Sequence, residues 1–206
     1  MTPLEALRSL VRHVQTPRFP AYRIYSTAHD EVVHAHDLAP QIGDAGGRQE
    51  AYHAFCLQQE SLMNRLGRAA RDFAATVPQD TAVSLLIDHS GSMRGLHMEM
   101  ALLLTQAAKD LAGAAGCPVE ILGFTTVEWQ GKPLRPTWMA ARLPFEPGRL
   151  CALRHIIDRS FGESPAALDL MLEESICKEN VDGEALLWAA ARLRAVPARR
   201  RVLIVV

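Results

Sequence analysis

The run Val83-Ser84-Leu85-Leu86-Ile87, which ends abruptly at Asp88, constrains the fold more than any other stretch of this chain. Its apolar residues do not alternate with polar ones, which is the pattern of a strand covered on both faces. Such a strand needs helices above and below it, and the downstream sequence supplies them. A Gly/Ser loop is followed by a helical period from about Leu96 to Ala115, with Met100, Leu103, Leu104, Ala107, Ala108 and Leu111 expected toward the core. Gly116 and Pro118 stop it. Val119 to Phe124 reads as the next strand, and residues 128–148 as an irregular excursion carrying Trp129 and Trp138. Helical segments are expected at Leu150 to Arg159, Pro165 to Cys177 and Gly183 to Ala195, before a last strand at Arg201 to Val206. Strands separated by helices imply βαβ crossovers and a mainly parallel sheet. Functional surfaces in such sheets lie beyond the carboxyl ends of the strands.

Upstream the pattern changes. Tyr22 to Val33 reads as a strand or hairpin, Asp44-Ala45-Gly46-Gly47 as a loop, and Arg48 to Ala75 as one helix about 40 Å long. Its apolar positions are Tyr52, Phe55, Leu62, Leu66, Ala69 and Phe73. The expected organisation is a small, mostly helical region over residues 1–79 and an α/β unit over residues 80–206.

Composition narrows the function. With 49% hydrophobic and 22% charged residues among 206, the chain is neither disordered nor fibrous. Lys+Arg 22 against Asp+Glu 23 gives no reason to expect nucleic acid or an anionic membrane as partner. Cys56, Cys117, Cys151 and Cys177 never approach CxxC spacing, so zinc and redox motifs are unsupported. Met1 to Leu10 lacks the apolar stretch of a signal peptide, and no apolar run reaches the ~20 residues of a membrane span. A cytoplasmic chain with reduced thiols is expected.

The chemistry concentrates in Asp88-His89-Ser90-Gly91-Ser92. A carboxylate with hydroxyls two and four residues later places three oxygens on one turn, and Gly91 permits the bend. Hard divalent cations prefer oxygen ligands, and Mg²⁺ takes few protein groups. A nucleophile elbow would need glycine where Asp88 stands, so a hydrolase is not indicated. An aspartyl-phosphate enzyme would want a second carboxylate at Ser90. The competing reading is a capping turn, since Asp and Ser commonly cap helices.

Leu85 to Met93 resembles the first metal-site motif, DxSxS, of von Willebrand factor A (vWA) domains. Further blocks are similar to the CobT subunit family of aerobic cobaltochelatase: Glu120 to Thr126, Pro147 to Leu150, Leu153 to Ile156, and Lys178 to Leu186. Tyr22 to Ser26, with Asp30-Glu31-Val32, resembles the region ahead of that family's vWA domain. The resemblance implies a Rossmann-like vWA domain and a non-motor subunit of the ATP-dependent chelatase that inserts cobalt into a corrin ring. It implies an AAA+ ATPase subunit (CobS-like) and a large chelating subunit (CobN-like) as partners. It also implies Mg²⁺ at Asp88, Ser90 and Ser92. ATP would sit on the partner, in agreement with the absence of GxxxxGK[ST] here. The family's second ligand position falls at Asn180, with Asp182 beside it; capping of the following helix is the other role open to both. Two departures stand out: the acidic stretch ahead of the vWA domain is nearly absent, and the sequence ends before the family's third motif, an Asp in a Ser-Asp-Gly run. A fragment or a truncated homologue is therefore expected. The rival functions are a stand-alone vWA module serving another AAA+ protein and a non-functional fragment.

Other residues carry blander expectations. His29, His34 and His36 near Asp30 and Asp37 read as a polar strand edge rather than a metal cluster. His89 and His97 are expected in solvent. Arg192, Arg194, Arg199, Arg200 and Arg201 read as a solvated helix end. Trp129 and Trp138 are expected to bury against the sheet, with partner anchoring as the alternative.

Overall fold

The computed structural model describes residues 22–78, 80–141, 147–163 and 168–206. The described strands are β1 (Glu31–His34), β2 (Thr81–Asp88), β3 (Val119–Thr126), β4 (Leu153–Arg159) and β5 (Arg200–Val205). They form one sheet in the order β1-β4-β3-β2-β5. β2 lies parallel to β3 and β5, β4 is antiparallel to β3, and β1 pairs parallel with β4. The described helices are α1 (Ala35–Leu38), α2 (Ala45–Gln58), α3 (Glu60–Ala74), α4 (Leu96–Ala114), α5 (Leu134–Ala141) and α6 (Asp182–Arg194).

The apolar run behaves as its composition requires. Leu85 and Ile87 face one side of the sheet, packing with Ile121, Ile156 and the α4 residues Met98, Ala101 and Leu102. Leu86 faces the other, with Leu122, Phe124 and Ile157 under Ala185 and Ala189 of α6. Both faces are covered, which explains the lack of alternation. No helix among the described residues is long and apolar enough to cross a membrane. All four cysteines are free.

Several expectations change. Leu150 to Arg159 is not helical: Leu153 to Arg159 is β4, whose residues are mostly buried because both faces of the sheet are covered. Pro165 lies outside the described residues, and the remainder of that expected helix consists of 3₁₀ turns at Leu168–Leu172 and Glu174–Ile176. The long upstream helix is two helices meeting at Gln59, since α2 packs on the Leu168–Leu172 turn whereas α3 packs along α4. Of Tyr22 to Val33, only the end forms a strand, and Ile24 makes a lone bridge to Arg149. The excursion after β3 contains α5. On α4, Met100 and Leu104 are about half exposed; Leu103 is buried as expected, and Met98, Ala101, Leu102 and Thr105 take further buried positions. Leu104, Ala108 and Leu111 instead line an open apolar groove of about 630 Å³ between α3, α4 and β5. The basic run is not uniformly solvated either. Arg192 pairs with the fully buried Glu120 of β3 (Nε to Oε2, 2.7 Å), and Arg201 donates to the terminal carbonyls Leu193 and Val196.

One buried group makes stability sensitive to pH. The β3–β4 register shifts between Ile121 and Leu122, leaving Asp158 unopposed in a bulge. Its carboxyl is buried and neither oxygen has a hydrogen-bond partner. Burial, reinforced by the charge of Asp169, pushes it up from 3.8 to about 7. Between those values the folded state holds a proton that the unfolded chain has lost. Asp158's contribution is therefore complete below the lower value and is lost as pH rises through the upper one. Asp158→Asn removes this titration. Relative to the parent, the variant should gain on the order of 2–3 kcal/mol between pH 5 and pH 8.5 in urea unfolding. A difference that does not move with pH would contradict the assignment.

Candidate functional site

Asp88 is the last residue of β2, at the carboxyl edge of the sheet. Its main-chain N–H donates to the Val206 carbonyl at 2.9 Å, fixing where the strand stops. Oδ1 accepts the Ser90 N–H at 2.7 Å, and Oδ2 accepts the Ser90 hydroxyl at 3.1 Å. Ser90 Oγ and Ser92 Oγ lie 2.9 Å apart. Asn180 Nδ2 donates to Asp88 Oδ2 at 3.0 Å from 92 positions away in sequence. Asp88, Ser90, Ser92 and Asn180 thus converge, with Ser92 and Asn180 at the exposed mouth.

Asp88 Oδ1 closes a turn on the Ser90 N–H and Ser90 stands at the N-cap of the 3₁₀ turn Gly91–Met93, but neither Asp88 nor Asn180 caps a long helix. The N-cap of α4 is Gly95 and that of α6 is Val181, and neither makes a side-chain cap bond. Asp182 is the first residue of α6, exposed, where a carboxylate favours the positive helix end. The hydrogen bonds that assemble the loop use Asn180, not Asp182.

Asn180 arrives there because the segment before it is stitched to β3. Thr125 Oγ1 donates to the Glu179 carbonyl and accepts the Lys178 N–H, both at 3.1 Å. Thr126 Oγ1 accepts the Glu179 N–H at 3.1 Å, and Thr126 N–H donates to the Glu179 carbonyl at 2.9 Å. The loop is stitched to the same segment: Gly91 N–H donates to the Lys178 carbonyl at 2.7 Å, and Lys178 N–H to the His89 carbonyl at 3.2 Å. The two threonines were not singled out from sequence, though a Thr-Thr pair closing a buried strand is a usable signal.

His89 departs from expectation. Its side chain is fully buried, not solvated, and lies in the space left by Gly123, where an added Cβ would approach the ring to 2.8 Å. Burial lowers its pKa to about 4, so the imidazole is neutral and adds no charge beside Asp88. Trp129 is likewise not buried against the sheet: it is 38% exposed and lies over Gly91. Trp138 is half-buried, and its Nε1 lacks a partner. His97 is exposed, as expected. No group of three or more His, Cys, Asp or Glu side chains suited to a metal exists among the described residues.

A buried guanidinium anchors this end of the molecule. Arg149 makes paired hydrogen bonds to Asp30 (Nη1–Oδ1 and Nη2–Oδ2, both 2.7 Å), and its Nε lies 2.7 Å from Glu184 Oε1 in the first turn of α6. Asp30 also accepts the Leu153 N–H at 2.9 Å, and Tyr22 donates to Glu184 at 2.6 Å. Desolvation opposes the Asp30 charge, yet the hydrogen bonds from Arg149 and Leu153 prevail and hold its carboxyl below the usual range. Arg149→Met leaves those carboxylates without their cation. It should destabilise the chain by about 3–5 kcal/mol, read from urea midpoints. A loss below about 1 kcal/mol would make the arrangement equivalent to a surface pair.

The chain was compared with known families and structures. A family model described as "Cobalamin biosynthesis protein CobT VWA domain" matches residues 71–206, from the end of α3 through β5. No solved structure matches the chain. The matched span carries the strand–loop–helix unit of β2, the Asp88–Ser92 loop and α4, together with the mostly parallel sheet, and it covers well over half of the sequence. The chain therefore belongs to the CobT VWA domain family of cobalamin biosynthesis.

Proposed function

We propose that this chain is a non-motor subunit of the ATP-dependent aerobic cobaltochelatase. In that role it joins a CobS-like AAA+ ATPase to a CobN-like chelating subunit through a divalent cation. The observation that carries this reading is the convergence of Asp88, Ser90 and Ser92 at the carboxyl edge of the sheet in a chain of this family. The donor set fits a hard ion such as Mg²⁺: every group is an oxygen, two are neutral hydroxyls and one is a carboxylate. Bound there, the ion would be under-neutralised and would accept a further carboxylate from a partner. Asn180 holds Asp88 Oδ2 from the open side and can turn its amide oxygen toward the same point, whereas Asp182 is exposed in the first turn of α6. The chain's own role is to bind and orient; ATP belongs to the AAA+ partner and cobalt to the chelating subunit. The four free thiols agree with work in the cytoplasm.

Two measurements test this. Isothermal titration with Mg²⁺ should show binding by the parent chain and none by Asp88→Ala, which should still melt cooperatively because Asp88 ends β2 and its side chain bonds only to Ser90 and Asn180. Retained binding in the variant would overturn the ligand assignment. Capture of the ATPase and chelating subunits by the tagged chain should be lost in EDTA and in Asp88→Ala. Equal capture under all conditions would remove the metal from the bridge.

A further inference from the structure

Trp129 stands in a 3₁₀ turn after β3 and occupies a position that the proposed function leaves unused. An added Cβ at residue 91 would lie 2.6 Å from Trp129 Cη2 and 3.5 Å from the Lys178 carbonyl oxygen. Glycine at 91 is thus what allows the indole to rest on the apex of the Asp88–Ser92 loop, with the Lys178 main chain also close by. The turn carrying the indole is itself fixed. Glu128 is held by a hydrogen bond from Thr126 Oγ1 to its carbonyl (3.0 Å), and Val127 N–H donates to Ala152. Gly131, at φ +69, approaches the Leu150 carbonyl so closely that a Cβ there would sit 2.8 Å from the oxygen. Arg94, two residues past Ser92, lies 5.6 Å from the indole centroid and donates to the Cys177 carbonyl at 3.0 Å.

We infer that Trp129 is a positioning residue for the metal loop: by bearing on Gly91 it fixes the directions of the Ser90 and Ser92 hydroxyls on either side. This rests on the metal-site reading for its consequence but not for its geometry. Groups that orient ligands without touching the ion commonly govern affinity by ten- to a hundredfold. A loop held by contact on a glycine loses that orientation when the contact goes.

The test uses the full chain with Trp129→Ala, Trp129→Phe and Gly91→Ala, read by residue-resolved amide exchange and by Mn²⁺ titration. In Trp129→Ala the amides of Ser90, Gly91 and Met93 should lose protection while those of Leu85 and Ile121 keep theirs. Mn²⁺ affinity should fall about tenfold or more. Gly91→Ala, whose methyl displaces the indole, should show the same pattern, and Trp129→Phe should restore most of the protection. Unchanged loop protection in Trp129→Ala would overturn the inference. So would protection lost equally in loop and strands, because the tryptophan would then be a general packing residue. If the parent chain takes up no Mn²⁺, the metal-site reading fails, and the exchange pattern still decides the role of Trp129.

Discussion

The Arg149 guanidinium sits where three separate segments must meet. It takes Asp30 from the approach to β1, the Cys151 carbonyl from its own approach to β4, and Glu184 from the first turn of α6. A cation this deeply buried is tolerated only where carboxylates compensate its desolvation, here through paired hydrogen bonds to Asp30 and a close ion contact with Glu184 that leaves Nε without a hydrogen bond. The consequence is geometric. β4 and β1 run against the direction of β2 and β3, so their beginnings lie at the carboxyl edge where Asp88 ends its strand. Fixing those beginnings fixes α6, and with it the Lys178–Asn180 segment, which ends four residues before Glu184.

The Asp88–Ser92 loop inherits this rigidity through main-chain bonds more than through side chains. Gly91 and His89 bond to Lys178, while Lys178 and Glu179 bond to Thr125 and Thr126. Only after that scaffold is in place do Asn180 and the hydroxyls meet Asp88. Loop residues that hold function on a rigid frame are the general pattern for α/β sheets.

The legible parts of the sequence were those where one physical demand dominates. β2 could be read because a strand covered on both faces tolerates little polarity, and α4 because Gly116 and Pro118 end it. The Asp88, Ser90 and Ser92 cluster was legible because its three oxygens are local in sequence. Leu150, Leu153, Ile156 and Ile157 fit a helical spacing, and only partners distant in sequence make Leu153 to Arg159 a strand. Gln59 breaks the upstream helix without Gly or Pro, because its halves pack on different neighbours. Glu120, alone in an apolar strand, gave no sign that Arg192 would cover it. His89 was hidden most deeply, since its burial depends on the missing side chain of Gly123.

That burial has a physical logic. The His89 N–H and carbonyl are both committed, to Phe124 and Lys178, and the ring lies against Gly123 of β3. There both ring nitrogens go without partners, each an unsatisfied polar atom of the kind that costs about 1–3 kcal/mol. In the proposed role, a site with one carboxylate and two hydroxyls attracts a cation weakly and cannot rely on the incoming ion to organise it. Its oxygens must already be in place, since reorganisation on binding would consume the little affinity available. On that proposal, the buried imidazole and the glycine pressed by an indole both bear on the one loop whose geometry has to exist before a cation binds.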